Sequence, residues 1–252
     1  LREEVGRLLK DGDGQTALGK LKAALAYETK KTACNLGLFV AGVAAFVGAV
    51  DLIALASGYP GMAFSGLYAW SFLFLGFATI VAFNRDWPFF LQNGLTRAQS
   101  FGVFAAMCVF SSVALALLDG VLSSAFPAAW KAQSLVMFQI DGYSAGAFFY
   151  VLMLNLAVSF SVLAGVVLRK RAGALLTAPA LVVIVAVLVA GAPTLAALVS
   201  GSAVPIAGLI ETVAGSPYAR DVHLAQAAVL YALAAAVAAG AAWAIMRRTE
   251  AR

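Results

Sequence analysis

Residues 84–101 read NRDWPFFLQNGLTRAQSF, a stretch that separates two long apolar runs and holds turn, cap and aromatic signals together. Its reading decides how the runs on either side are joined. Asp86 is placed to cap a first helical turn, and Pro88 suits the start of that turn, where its missing N–H would be unpaired anyway. Trp87, Phe89, Phe90 and Leu91 then give about two turns of apolar surface before Asn93-Gly94 ends the helix. Gly94 suits the left-handed residue after a C-cap, and Thr96-Arg97-Ala98-Gln99 is a T-x-x-Q capping box that starts the next helix. The stretch reads as a short aromatic helix at a membrane surface, a break and a fresh helix start.

The flanking runs belong to a chain of 252 residues that is 63% hydrophobic and 12% charged, about half the charge of an ordinary soluble domain. An all-α integral membrane protein is expected, a single transmembrane domain over 1–252. Apolar runs at 34–56, 62–83, 100–122, 143–168, 174–199 and 224–246 each approach or exceed the ~20 residues that cross a bilayer as a helix. This gives six spans over 34–246 behind an interfacial segment at 1–33. Lys and Arg gather in the N-terminal segment, at Arg85 and Arg97, at 169–171 and at Arg247, Arg248 and Arg252, which are alternate loops, and only Lys131 and Arg220 fall on the other side. Both termini and the 84–101 stretch are therefore expected in the cytoplasm. The net charge of +5 is read as topology and not as a nucleic-acid footprint.

Within 1–33, Leu1, Val5, Leu8 and Leu9 share one helical face among charged residues, and Asp11-Gly12-Asp13-Gly14 breaks that helix. A second stripe, Leu18, Leu21 and Leu25, runs beside Lys20, Lys22, Lys30 and Lys31, a pattern suited either to an anionic leaflet or to an ordinary solvated face. Gly14 to Lys20 spells G-x-x-x-x-G-K, but Leu21 stands where a phosphate loop needs Ser or Thr, and no buried strand precedes it. The Asp-Gly-Asp-Gly run lacks the later acidic ligands of a calcium loop.

The outer connections differ. Residues 57–61 form a tight Gly/Pro turn, 123–142 carry interfacial aromatics, and 192–223 are apolar yet broken by Pro193, Gly201, Pro205, Gly208, Gly215 and Pro217. The last reads as a re-entrant hairpin that dips into the outer leaflet between the last two spans. Asp51 and Asp119 come near the outer ends of spans, where snorkelling to water is cheap, and Glu211 falls in the broken hairpin. Asn35 and Asn155 are candidates for bonds between helices. Cys34 and Cys108 read as small core residues, and His223 as an interfacial side chain without a second metal ligand. No catalytic constellation, cofactor site or metal site is indicated.

The layout resembles the membrane subunit of a type-2 ABC exporter. The resemblance rests on a basic interfacial stretch ending Tyr27-Glu28-Thr29-Lys30-Lys31-Thr32, a first hairpin, the aromatic cytoplasmic helix followed by N-G-L-T-R, and the broken outer hairpin. It implies that the short helix is a coupling helix that docks on a separate ABC ATP-binding subunit. Trp87, Pro88, Phe89, Phe90 and Leu91 would then supply the docking surface, with Gly94 and Arg97 in the turn that follows. It also implies a bacterial plasma-membrane location, a second permease subunit of the same or a similar kind, and ATP and magnesium held by the partner and not by this non-enzymatic chain. The apolar path suggests a lipid, amphipathic peptide or drug as substrate. The alternative is an ATP-independent secondary transporter or substrate-binding membrane module. An aromatic-belt helix resting on lipid would account for the same residues without a partner.

Overall fold

A computed structural model of the chain describes residues 17–56, 67–125, 145–172 and 224–248. All regular structure among the described residues is α-helical: α1 Ala17–Ala56, α2 Leu67–Gln92, α3 Arg97–Ala125, α4 Ala145–Ala172 and α5 Leu224–Met246. Among the described residues, three stretches are long and apolar enough to cross a membrane, Arg97–Leu122 in α3, Ala145–Lys170 in α4 and Ala228–Met246 in α5. The described residues therefore agree with the coarser expectation, an all-helical architecture with helices fit to cross a membrane. The amphipathic segment at 1–10, the expected span at 174–199 and the broken outer hairpin at 192–223 lie outside the described residues.

The central helix is α4, which packs against α2, α3 and, most extensively, α5. Within the apolar stretch of α4, 72% is buried, against 17% in α5, so protein surrounds α4 while α5 gives it one face. That face carries Ala228, Ala235 and Ala242, recurring every seventh residue, and such small side chains let two backbones approach closely where no hydrophobic drive separates protein from lipid. Val229, Leu233 and Val237 point away and are exposed. Tyr150 of α4 and Tyr231 of α5 meet edge to face at 5.6 Å. Between α3 and α4, the Ser112 and Ser159 hydroxyls stand 3.5 Å apart.

α1 is a single helix of 40 residues, about 60 Å long at the usual rise. The interfacial segment and the first span, expected as separate pieces meeting at residue 33, form one rod because Thr32-Ala33-Cys34 contains neither Gly nor Pro. A rod of that length is about twice the thickness of the bilayer hydrocarbon, so its basic first half extends past the apolar half. Leu21 and Leu25 pack towards the core while Leu18 is exposed.

The helix start expected at Asp86 is not formed. α2 runs without a break from Leu67 to Gln92 with Pro88 inside it. Asp86 does not cap because its carboxylate is engaged by Tyr27 and Lys31 of α1. Pro88 lacks the N–H that would bond the carbonyl of Asn84, and Asn84 is exposed, where water can take that carbonyl.

The end of α2 is built as the local sequence dictates. Gly94 has φ +80°, the Leu95 N–H donates to the Phe90 carbonyl at 3.0 Å, and the Gly94 N–H donates to the Leu91 carbonyl at 3.1 Å. These are the paired bonds of a Schellman stop. The next helix opens at once, with the Thr96 N–H donating to Gln99 Oε1 at 2.9 Å and the Gln99 N–H to Thr96 Oγ1 at 3.2 Å, a complete capping box. Gly94→Ala should cost about 1–2 kcal/mol in denaturant unfolding because the left-handed backbone strains any Cβ, and Gly94→Asn should cost less. The added Cβ would itself only touch Lys20 Nζ at 3.4 Å, so the loss measures backbone strain and not a clash.

Candidate functional site

Tyr27, Glu28 and Lys31 lie on one face of α1, three and four residues apart, the spacing that stacks side chains on successive turns. That face meets Asp86 of α2. The Lys31 ammonium donates to Asp86 Oδ2 in an ion pair, and the Tyr27 hydroxyl donates to Asp86 Oδ1 at 3.4 Å. Asp86 is fully buried and Lys31 keeps 17% of its side chain exposed. Glu28 is buried as well, with its Oε1 3.5 Å from Lys31 Nζ, and neither of its oxygens has a hydrogen-bond partner. Two buried carboxylates thus face one ammonium.

Beneath the charges lies a cluster of rings. Phe83 and Trp87 stack at 5.4 Å, and both tilt against Phe104 of α3, at 5.6 and 6.3 Å. Phe90 lies 5.9 Å from Phe104 and meets Tyr27 of α1 edge-on at 6.3 Å. Phe89 tilts against Tyr27 at 6.1 Å. Such offset and edge-to-face pairs contribute beyond the area they bury.

The same corner reaches the other two helices. Lys170 of α4 places its ammonium 5.1 Å from the Phe83 ring centroid. Arg97, the first residue of α3, donates from Nη1 to the carbonyl of Arg247 just past α5, at 3.0 Å. One turn on, Phe101 tilts against Trp243 at 5.2 Å. The junction of α2 and α3 is therefore tied to α1, α4 and α5.

Of the residues singled out from sequence, Trp87 and Phe90 are buried inside this chain, with 2% and 0% exposure. Pro88, Phe89, Leu91 and Arg97 are half-buried, and Gly94 is exposed. The structure brings them together with three residues that sequence reasoning left out of the site: Glu28, Lys31 and Asp86. The signal was present, because Phe83, Trp87 and Phe90 follow the i, i+4, i+7 stripe of one helix running straight through the helix start expected at Asp86.

Deeper in the bundle, Asp119 is 1% exposed, a correction to the snorkelling position expected for it. Asn155 is also fully buried, and its amide has no hydrogen-bond partner. Asn35 is exposed, and it lines a groove of about 540 Å³ between α1 and α2 with Phe39, Phe46, Trp70, Phe74 and Phe77. Cys108 is buried as expected, whereas Cys34 is exposed. Glu211, His223 and the side chain of Asp51 lie outside the described residues. Among the described residues, no group of three or more His, Cys, Asp or Glu is placed to hold a metal ion.

Comparison with family models, with curated proteins and with solved structures finds no match.

Proposed function

We propose that the chain is the permease subunit of an ATP-driven exporter, coupled to a separate ATP-binding subunit through residues 85–99. The observation that carries this reading is the stiffness of the α2–α3 corner. A Schellman stop runs directly into a capping box, and the corner is tied to α1, α4 and α5. A push on such a corner is passed to all the described helices instead of being absorbed in a loop.

The docking surface differs from that expected of a free aromatic helix. Trp87 and Phe90 hold the corner from within, leaving Pro88, Phe89, Leu91, Gly94 and Arg97 to meet the partner. Six spans with cytoplasmic termini, a re-entrant hairpin over 192–223 and pairing with a second permease subunit complete the proposal. The groove between α1 and α2, apolar apart from Asn35 among its described lining residues, supports a hydrophobic or amphipathic substrate over a sugar or inorganic ion.

One observation favours a second reading, an ATP-independent carrier. The amide of Asn155 is held inside the bundle without a hydrogen-bond partner, a costly placement that a polar path would explain. Copurification with an ATP-binding subunit, sought first in the reading frames beside this chain, separates the two. Under the proposal the wild type retains the subunit, and Phe89→Ala with Leu91→Ala weakens retention at least tenfold while the chain still inserts in the membrane. A wild type that retains no ATPase, or a double variant that retains it fully, leaves the ATP-independent carrier as the reading.

A further inference from the structure

We propose that Glu28 is a proton-binding site, and that the proton it holds clamps the first half of α1 onto α2. The proposal is independent of whether the chain works with an ATP-binding subunit.

Its basis is an imbalance of buried charge. Lys31 neutralises one carboxylate, and its close contact is with Asp86. Glu28 is left 2% exposed, with no hydrogen bond to either oxygen and only the longer 3.5 Å ion pair from Oε1 to Lys31. An ionised carboxylate in that position is costly, since burial penalises the charge and the Lys31 ammonium, 3.5 Å away and already paired with Asp86, repays it only in part. A proton taken from water converts it to a neutral carboxyl, adds an O–H donor and leaves Asp86 and Lys31 as a balanced pair.

The charges that act on Glu28 come from Lys31 of its own helix and Asp86 of α2. From α3, Arg97 is turned to the Arg247 carbonyl. From α4, Lys170 lies over Phe83.

Burial pushes the Glu28 carboxyl up to about 7 from its ordinary 4.5, with Lys31 opposing and Asp86 adding to the rise. Because the folded value is the higher one, the native state binds the extra proton between those two values. The stabilisation is fully present below about 4.5 and is lost as pH rises towards about 7. Above that, Glu28 carries its charge in the packed junction, and α1 is pushed off α2.

Infrared difference spectra of the full chain in lipid nanodiscs, titrated across this range, test the site. The wild type should show a protonated-carboxyl stretch that disappears with a midpoint near 7 and is missing from Glu28→Gln. A spectrum with no Glu28-dependent band, or a midpoint near the ordinary carboxylate value, overturns the proposal. If Glu28→Gln does not assemble, Glu28→Asp should shift the band, and an unmoved band also overturns it.

The clamp is read separately by spin labels at the exposed positions Lys30 and Arg85, with Cys34→Ser to remove the exposed thiol. Their distance distribution should broaden above the midpoint in the parent and stay narrow in Glu28→Gln. A distribution that ignores pH overturns the clamp.

Discussion

Replacing Lys31 with methionine should destabilise the folded chain by about 3–5 kcal/mol, the usual cost of removing one partner from a buried ion pair. The effect belongs at the lower end of that range because Lys31 keeps 17% of its side chain exposed. What makes it large is the remainder: without the ammonium, the Asp86 and Glu28 carboxylates share one buried pocket. Thermal unfolding in detergent measures the loss, which should shrink as pH falls because a proton on Glu28 removes one of the two charges. The combined change Lys31→Met with Asp86→Leu should recover most of the stability, since an apolar pair of similar volume is often neutral or better than a buried ion pair. If the double variant stays as unstable as the single one, lost packing around the Lys31 stem is the cause and the charge argument fails.

How far the sequence reaches this junction depends on the range of the interactions that build it. Gly94 and the Thr96–Gln99 box act within a few residues of themselves, so turn chemistry alone places them, and the structure forms both. Asp86 has the same local signature, that of a residue ahead of an aromatic run and a proline, yet its partners are Tyr27 and Lys31 on another helix. Local capping rules cannot see that pairing. A helix already packed on both sides tolerates Pro88 at the cost of one bond to the exposed Asn84 carbonyl, so the proline marks no boundary.

The aromatics were legible as anchors and illegible as to what they anchor. Trp87, Phe89 and Phe90 are adjacent in sequence, but on a continuous helix they divide between faces, and Trp87 and Phe90 fall on the stripe of Phe83 that faces α3. Likewise Asp119 reads as interfacial from its distance along the span, and its burial, which depends on what packs against it, is not given by position along the chain. Helical character and the apolar stretches in α3, α4 and α5 follow from composition and periodicity, which need no partner to be read.

Phe90→Ala should cost about 3–5 kcal/mol of stability. The ring has no exposure, and it closes contacts with Tyr27, Phe89 and Phe104, so truncation opens a cavity among three helices. Phe89→Ala, only half-buried, should cost about 1 kcal/mol, in keeping with the smaller apolar area it removes from water. The two neighbours thus separate building the corner from using it. In unfolding measurements Phe90→Ala should be the weak variant. In copurification with an ATP-binding subunit, Phe89→Ala should lose more association than its small stability loss explains, whereas Phe90→Ala should lose it only in proportion to its unfolded fraction. Conservative Phe90→Leu, which refills most of the cavity, should restore both readouts together because it repairs the fold on which docking depends. A Phe90→Ala chain as stable as wild type would mean that the ring does not close this core, and the division of labour between the two phenylalanines would have to be reversed.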